Sequence, residues 1–384
     1  MVGNAPRETL DSHRKDVDSE RIGRRLDAVP GVAALREALD GERAYLVGGA
    51  VRDLLLGGEH PDLDIAVEGD AAAVAARLGG EPREHERFAT ASTEVDGVRL
   101  DLASTRTETY EHPGALPVVE PASIDRDLAR RDFTVNAMAV PLTGEPVLLD
   151  PHGGVEDLRA GLLRVLHERS FSDDPTRALR AARYAARLGL ELEPRTAELL
   201  AATDLGTVSE DRVRAELRRI AAEPDPAPAL ELLAEWGLAA ISSGAPARVR
   251  AVLEVLGRPG WSGTVDSVEA AYRMAITDSE LEMAAVRLSS ARPGKPSEAV
   301  RLARGRSPLE LLVARVAGGR WLDDYITTWR DVELEIDGED LLAAAVPEGR
   351  ALGRGLSAAL EAKLDGEAGG REDELRIALS AAGS

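Results

Sequence analysis

The sequence predicts an α+β protein: a small mixed-sheet head in roughly the first 150 residues, followed by a chain that is nearly all helix. Three observations predict it. Apolar and polar residues alternate with period two only between about residues 44 and 104, the dipeptide Asp96-Gly97 separates two such runs, and beyond Asp150 the spacing becomes helical and alanine-rich. At 384 residues with 44% apolar content, the chain is long enough for two or three cores.

Residues 1–20 read as a charged tail, and 21–40 as a helix interrupted at Pro30-Gly31. "AYLV" is a short strand that stops at Gly48-Gly49, and "AVRDLLLG" is a short helix with a glycine stop. In "DLDIAV" the period-two pattern turns Leu63, Ile65 and Val67 to a core and Asp62 and Asp64 to the opposite face. Asp70 is placed to cap the helix "AAAVAARLGG". "FATASTEV" and "VRLDLAST" flank Asp96-Gly97 as a hairpin, with Asp101 on the face away from Leu100 and Leu102. "YEHPGALPVVEPAS", with its three prolines, reads as a loop. The head that results has about 130 residues, an ordinary domain size.

Pro175 opens a helix that runs to Gly189, and helical patterns continue to the end with breaks near Pro224 to Pro228, Pro259-Gly260 and Pro293-Gly294. Arg177, Arg180, Arg183 and Arg187 share one side of the first of these helices, opposite Leu179, Ala182, Ala186 and Leu190. An amphipathic helix with a solvated arginine face is the plain reading of that pattern. A cleft lined for an anionic ligand is the other.

Composition narrows the function. The chain has no cysteine, which excludes disulfides, thiolate metal sites and cysteine nucleophiles and suits a reducing compartment, so a cytoplasmic protein is expected. The N-terminus lacks an apolar leader and no run of 18 apolar residues occurs, so no membrane segment is expected. A net charge of −21 argues against non-specific attachment to polyanions while permitting a local basic site. Lysine occurs only at 15, 295 and 363, so the basic residues are nearly all planar, bidentate guanidinium donors.

The chemistry-bearing stretch is "VGGAVRDLLLGGEHPDLDIAV", residues 47–67. A Gly-Gly turn opening a helix suits a phosphate, with Arg52 near enough to add charge. Two carboxylates at i and i+2 on a strand suit a hard cation such as Mg²⁺, and Asp101 on the neighbouring strand is a third candidate ligand or an ordinary exposed acid. Each signal is weak alone and more specific together.

These residues resemble the first motif of the class II branch of the DNA polymerase β nucleotidyltransferase superfamily, which contains CCA-adding tRNA nucleotidyltransferases and bacterial poly(A) polymerases. Further resemblances follow in order: "RRDFTVNAMA" (130–139) to the second motif, "LLDPHGGVEDL" to the segment joining head to neck, and "DDPTRALRAAR" to the nucleotide-reading motif. "SEDRVRAELRRI" (209–220) resembles the helix supporting that reader, and "IDGEDLLAAAVPEGRALGRGL", from Ile336, the tail motif. The resemblance implies a nucleotidyltransferase head at 21–150, a helical neck at 151–222 and a tRNA-binding body and tail at 223–384. It implies catalytic, Mg²⁺-holding roles for Asp62 and Asp64, and nucleotide contacts for Gly48, Gly49, Arg52, Arg131, Asp174, Arg177, Arg180 and Arg183. Asp53, Asp132, Asn136 and Asp173 are implied as supports.

Asp173 stands where the family usually has glutamate, a shorter reach for orienting Arg177. Cytosine and adenine both present an amino donor beside a ring-nitrogen acceptor, so a carboxylate and a guanidinium accept C and A while rejecting U and G. In the family that pair maps onto Asp174 and Arg177. The implied activity is CCA addition to tRNA from CTP and ATP. An A-adding or CC-adding partial enzyme, a poly(A) polymerase and a non-catalytic tRNA-binding protein are the alternatives, and oligomeric state is not legible.

Overall fold

A computed structural model describes residues 19–39, 41–57, 63–79, 90–238, 240–276 and 279–383. It divides into two compact units, Met1–Ala240 and Ile241–Ser384.

The first unit begins with helices α1 (Ser19–Asp27) and α2 (Val32–Ala38), separated at Pro30-Gly31 as the sequence requires. The sheet follows: β1 (Arg43–Val47), α3 (Gly49–Leu55), β2 (Leu63–Glu68), α4 (Ala71–Arg77), β3 (Thr90–Val95) and β4 (Val98–Ser104), closed much later by β7 (Ala139–Pro141). Its strand order is β3-β4-β2-β1-β7, with β2 and β4 parallel and the other neighbours antiparallel, so the sheet is mixed as expected. Asp70 Oδ1 accepts from the backbone N–H groups of Ala72 and Ala73 at 3.0 and 3.1 Å and caps α4. Asp96 and Gly97 both take positive φ, 52° and 79°, the conformation a two-residue hairpin demands.

One element departs from the sequence reading. The proline-containing stretch expected as a loop contains β6 (Val118–Pro121), paired antiparallel with β5 (Arg106–Thr109). Pro121 sits at the strand end, where a missing N–H costs no ladder bond, and β5 and β6 form a separate two-stranded sheet. Next come α5 (Ile124–Ala129), a single 3₁₀ turn (Thr134–Asn136) and α6 (Gly154–Ala160). Tyr45, Val47, Ala66, Ile124, Leu128 and Ala139 pack as one cluster, which fixes α5 against one face of the sheet.

Helices α7 (Ser170–Asp173), α8 (Thr176–Leu188), α9 (Pro194–Ala201), α10 (Glu210–Ala221) and α11 (Ala227–Glu235) complete the unit, together with the two-residue strands β8 (Leu162–Leu163) and β9 (Glu191–Leu192). Pro175 and Gly189, the latter left-handed, bound α8 where the sequence places its ends.

Among the described residues the second unit is entirely helical: α12 (Ala245–Leu256), α13 (Ser267–Ala275), α14 (Ser279–Ser290), α15 (Pro296–Ala303), α16 (Pro308–Val316) and α17 (Trp321–Asp324). A π-helical turn (Tyr325–Trp329), α18 (Gly338–Ala343), α19 (Arg350–Leu364) and α20 (Arg371–Ala382) follow. Ile336, Leu341, Ala359 and Ala378 pack α18, α19 and α20 together. No helix among the described residues is long and apolar enough to cross a membrane.

Candidate nucleotide site

Strand β1 ends in a turn whose geometry explains its glycines. Gly48 has φ +67° and ψ −132°, and its N–H donates to the Met138 carbonyl at 3.1 Å. A Cβ at Gly48 would lie 2.6 Å from Nη1 of Arg131, so the guanidinium lies flush against the turn. Arg131 Nη2 donates to Asp127 Oδ2 at 3.0 Å, and its buried Nε has no hydrogen-bond partner among the described residues. Burial pushes the Asp127 carboxyl up, but the Arg131 and Arg130 guanidiniums outweigh it and hold its pKa below the ordinary carboxylate range.

Arg52, expected beside the turn, is there but faces inward. Its side chain is only 2% exposed, donates to Asp53 Oδ1 at 2.8 Å and to Asn136 Oδ1 at 2.5 Å, and lies 5.3 Å from the centre of the Tyr184 ring. Burial favours the neutral guanidine; Asp53 more than compensates, and the pKa of Arg52 stays above its usual value. Asn136 in turn donates to Asp132 Oδ1 at 3.1 Å, and Arg180 Nη2 lies 2.7 Å from Asp132 Oδ2. A continuous polar chain thus runs from the glycine helix through the 3₁₀ turn to α8. Burial raises the Asp132 carboxyl, yet Arg180 and Asn136 hold its pKa below the ordinary range, while burial of Arg180 is outweighed by Asp132 and its pKa is raised.

Asp64 is exposed on β2 between buried Leu63 and Ile65, and it stands opposite Asp101 in the parallel β2–β4 register. Partners in register share a face of the sheet, so the two carboxylates rise from one surface. Asp101 Oδ1 accepts from Ser92 Oγ at 2.5 Å and Arg99 Nε at 3.1 Å. Two hard oxygen donors on one rigid face fit a cation such as Mg²⁺. Asp62, the other expected ligand, lies outside the described residues, and no group of three or more potential ligands occurs among those described.

The arginine side of α8 is packed at its start and exposed only at Arg187. Arg177 is 4% exposed, with Nη1 donating to Ser170 Oγ at 2.8 Å and Nη2 to the Arg130 carbonyl at 2.9 Å. Arg183 lies 4.5 Å from the Tyr184 ring centre and 3.3 Å from Glu223, and Arg187 lies 3.7 Å from Asp53. Arg177 is buried, Arg180 and Arg183 are partly buried and Arg187 is exposed, while Leu179, Ala182 and Ala185 on the opposite side are buried. Asp173 pairs with Arg169 at 2.8 Å, which differs from the expected orientation of Arg177.

Asp174 and Arg177 sit at the start of α8 with different partners: Asp174 Oδ1 accepts from Thr176 N and Oγ1 and from Arg212 Nη2 at 2.8 Å. Arg212 also donates through Nη1 to the Gly114 carbonyl at 2.8 Å, tying the segment between β5 and β6 to the same carboxylate. Three participants escape sequence reasoning. Asp127 looks like any helix acid, Arg212 is one arginine of several in "SEDRVRAELRRI", and Tyr110 sits in a stretch read as loop. Tyr110 donates to Glu108 at 2.9 Å; burial, then Glu108, raises its pKa, and the charges of Arg177 and Asp174 reach it.

Residues 44–164 match a family model for the poly(A) polymerase head domain. A CC-adding tRNA nucleotidyltransferase of Deinococcus radiodurans is 36% identical over 338 residues, covering 81% of this chain and 82% of that protein. The chain belongs to the tRNA nucleotidyltransferase family. Another member, an A-adding tRNA nucleotidyltransferase of Geobacter sulfurreducens, is 36% identical over 397 residues, or 88% of this chain and 45% of that protein. This tRNA nucleotidyltransferase homologue therefore spans about half the length of the A-adding relative it matches. The solved structure of the Thermotoga maritima CCA-adding enzyme complexed with tRNA superposes with a TM-score of 0.67 at 27% identity, covering 91% of this chain and 94% of that one.

Proposed function

We propose that this chain adds the terminal nucleotides of CCA to the 3′ end of tRNA, taking them from CTP and ATP without a nucleic-acid template. The observation that carries the reading is the Asp174 and Arg177 pair at the start of an arginine helix whose Arg180 is joined through Asp132 and Asn136 to Arg52, on the helix that opens at the glycine turn.

The roles follow from the chemistry of each group. Thr176 and Arg212 donate to Oδ1 of the Asp174 carboxylate, and Oδ2 accepts the exocyclic amino group of C or A. Arg177 spends one donor on Ser170 and one on the Arg130 carbonyl, and a remaining N–H donates to the ring nitrogen. Arg131, lying against Gly48, and Arg180 and Arg183 supply positive charge for the triphosphate, with Gly49 allowing close backbone approach. Arg52 acts from below, holding Asn136 and Asp53 in place. Asp132 and Asn136 fix Arg180, and Asp173 fixes Arg169.

Asp64, with Asp101 beside it in register, and Asp62, which lies outside the described residues, would hold Mg²⁺, which supplies charge neutralisation at the α-phosphate when bound. The 3′-hydroxyl attacks the α-phosphorus and pyrophosphate leaves, a reaction that asks for positioning and electrostatics more than for a protein nucleophile. Residues 21–150 serve as head, 151–222 as neck and 223–384 as the body and tail that hold tRNA by its shape and backbone. A cytoplasmic location accords with the absence of cysteine.

The A-adding relative favours a second reading, addition of A alone. Incubation with tRNAs ending before CCA, after C and after CC, with CTP and ATP supplied separately, decides between them. Extension of all three to CCA is the expected result. Extension of the CC-ending tRNA alone makes it an A-adding enzyme, and extension of none overturns the reaction.

A further inference from the structure

One aromatic ring lies among the arginines of the first unit. Tyr184, on α8, has the guanidinium carbon of Arg183 at 4.5 Å from its ring centre and that of Arg52 at 5.3 Å, both within cation–π range. Phe133 meets the ring edge-on, with centres 6.0 Å apart and planes at 82°, and Phe133 is itself fully buried, so the plane of the tyrosine is fixed. The two arginines come from opposite ends of the site's construction. Arg52 stands on α3 against the glycine turn, where a Cβ at Gly49 would lie 3.3 Å from its Nη2, whereas Arg183 belongs to the arginine row of α8.

An arginine that is to bind phosphate has to be held without being used up. A carboxylate partner fixes a guanidinium but takes N–H donors and offsets its charge, and a phosphate needs both. An aromatic face attracts the same cation through the ring quadrupole and takes no donor from the edge of its plane. Arg183 shows the difference. Its Nη1 reaches Glu223 at 3.3 Å, longer than a strong charge-assisted bond, and its buried Nε has no hydrogen-bond partner among the described residues. Arg180, one helical turn before Tyr184, and Arg131 each carry a buried Nε in the same condition. Buried donors left open cost stability unless a ligand takes them, so this group of guanidiniums is arranged for an anion.

We infer that Tyr184 is a positioning residue for the nucleotide triphosphate, its ring holding Arg183 in place on α8 and Arg52 against the glycine turn so that both parts of the site are set before the nucleotide arrives. The ring does the holding rather than the phenol hydroxyl, and it acts on the triphosphate rather than on the base. The inference rests on the nucleotide-addition reading above.

Its test uses the full chain, with tripolyphosphate as a probe that has no base to be read. Tyr184→Leu, which keeps an apolar side chain without a ring, should bind tripolyphosphate about tenfold more weakly by calorimetry and raise KM for each nucleotide the chain incorporates by about the same factor, with kcat at saturating nucleotide within about twofold of wild type. Its affinity for tRNA should stay at the wild-type value. Tyr184→Phe keeps the ring and should restore both the tripolyphosphate affinity and KM. A series with phenylalanine and its mono-, di- and trifluoro forms at position 184 drains negative charge from the ring face with little change of shape, and tripolyphosphate affinity should fall stepwise along it, by about tenfold in all. That series reports on the ring whether or not the leucine variant folds.

A flat response along the fluorine series, a Tyr184→Phe variant as weak as Tyr184→Leu, or a loss of kcat in place of the rise in KM would each overturn the role of Tyr184. A chain that shows the fluorine dependence yet extends no tRNA sinks the proposed reaction and leaves Tyr184 as the support of a phosphate site. A chain that extends tRNA while the series is flat sinks only the inference drawn from the ring. A wild-type chain that binds neither tripolyphosphate nor ATP overturns both.

Discussion

At Gly48 two constraints meet: a positive φ that only glycine adopts freely, and a guanidinium 2.6 Å from where a Cβ would sit. Gly48→Ala should therefore destabilise the fold by about 1–3 kcal/mol and displace Arg131 from the turn. Urea denaturation gives the first quantity. KM for ATP, expected to rise more than kcat falls, reports the second; an alanine variant with unchanged stability and unchanged KM would show that the turn tolerates a side chain. Asp64 is the opposite case, since it is exposed on its strand and its replacement leaves no cavity. Asp64→Asn should cut nucleotide incorporation by about a thousandfold or more while the thermal midpoint moves little. Activity near wild type would remove Asp64 from the proposed cation site.

Helix α8 shows how an element's pattern can be read from the sequence while its partners cannot. The arginine spacing and the Pro175 and Gly189 boundaries are legible in the sequence. The partners are not: Ser170 and the Arg130 carbonyl for Arg177, Asp132 for Arg180, and Glu223 for Arg183 come from four other places in the chain. The β5–β6 pair is a second example, because three prolines mask a short strand whose partner stops nine residues earlier. Arg212 joins the two, holding Gly114 with one nitrogen and Asp174 with the other. Arg212→Ala should free the segment between β5 and β6, so that limited proteolysis cuts between residues 110 and 118 faster than in wild type. It should also raise KM for CTP and ATP together, because Asp174 loses a charged partner. Unchanged cutting would mean that the Gly114 N–H bond to Ser172 holds the segment without Arg212.

Across the whole molecule the carboxyl groups of Asp127 and Asp132 in the first unit and Asp323 in the second are held below their ordinary pKa. For each, burial opposes ionisation and arginine contacts outweigh it. A depressed folded-state pKa gives stability that is fully present above the unfolded value of about 4 and is lost as pH falls through the folded value. The thermal midpoint should hold from neutrality to about pH 5 and fall progressively below pH 4. Asp132→Asn should flatten that fall, and an equally steep acid limb in the variant would show that Asp132 takes no part in it.

The sequence by itself determined the mixed head and helical remainder, the hairpin at Asp96-Gly97, the ends of α8 and the resemblance to tRNA nucleotidyltransferases. These are set by local rules of period, turn conformation and spacing, which need no knowledge of distant residues. Only the tertiary structure decided that Arg52 is buried on Asn136, that Arg131 lies against Gly48, that Asp64 stands in register with Asp101, and that Arg212 grips Asp174. Each of these depends on which distant residue the folded chain brings alongside, and a contact between residues far apart in the sequence carries no local periodicity by which it could be read in advance.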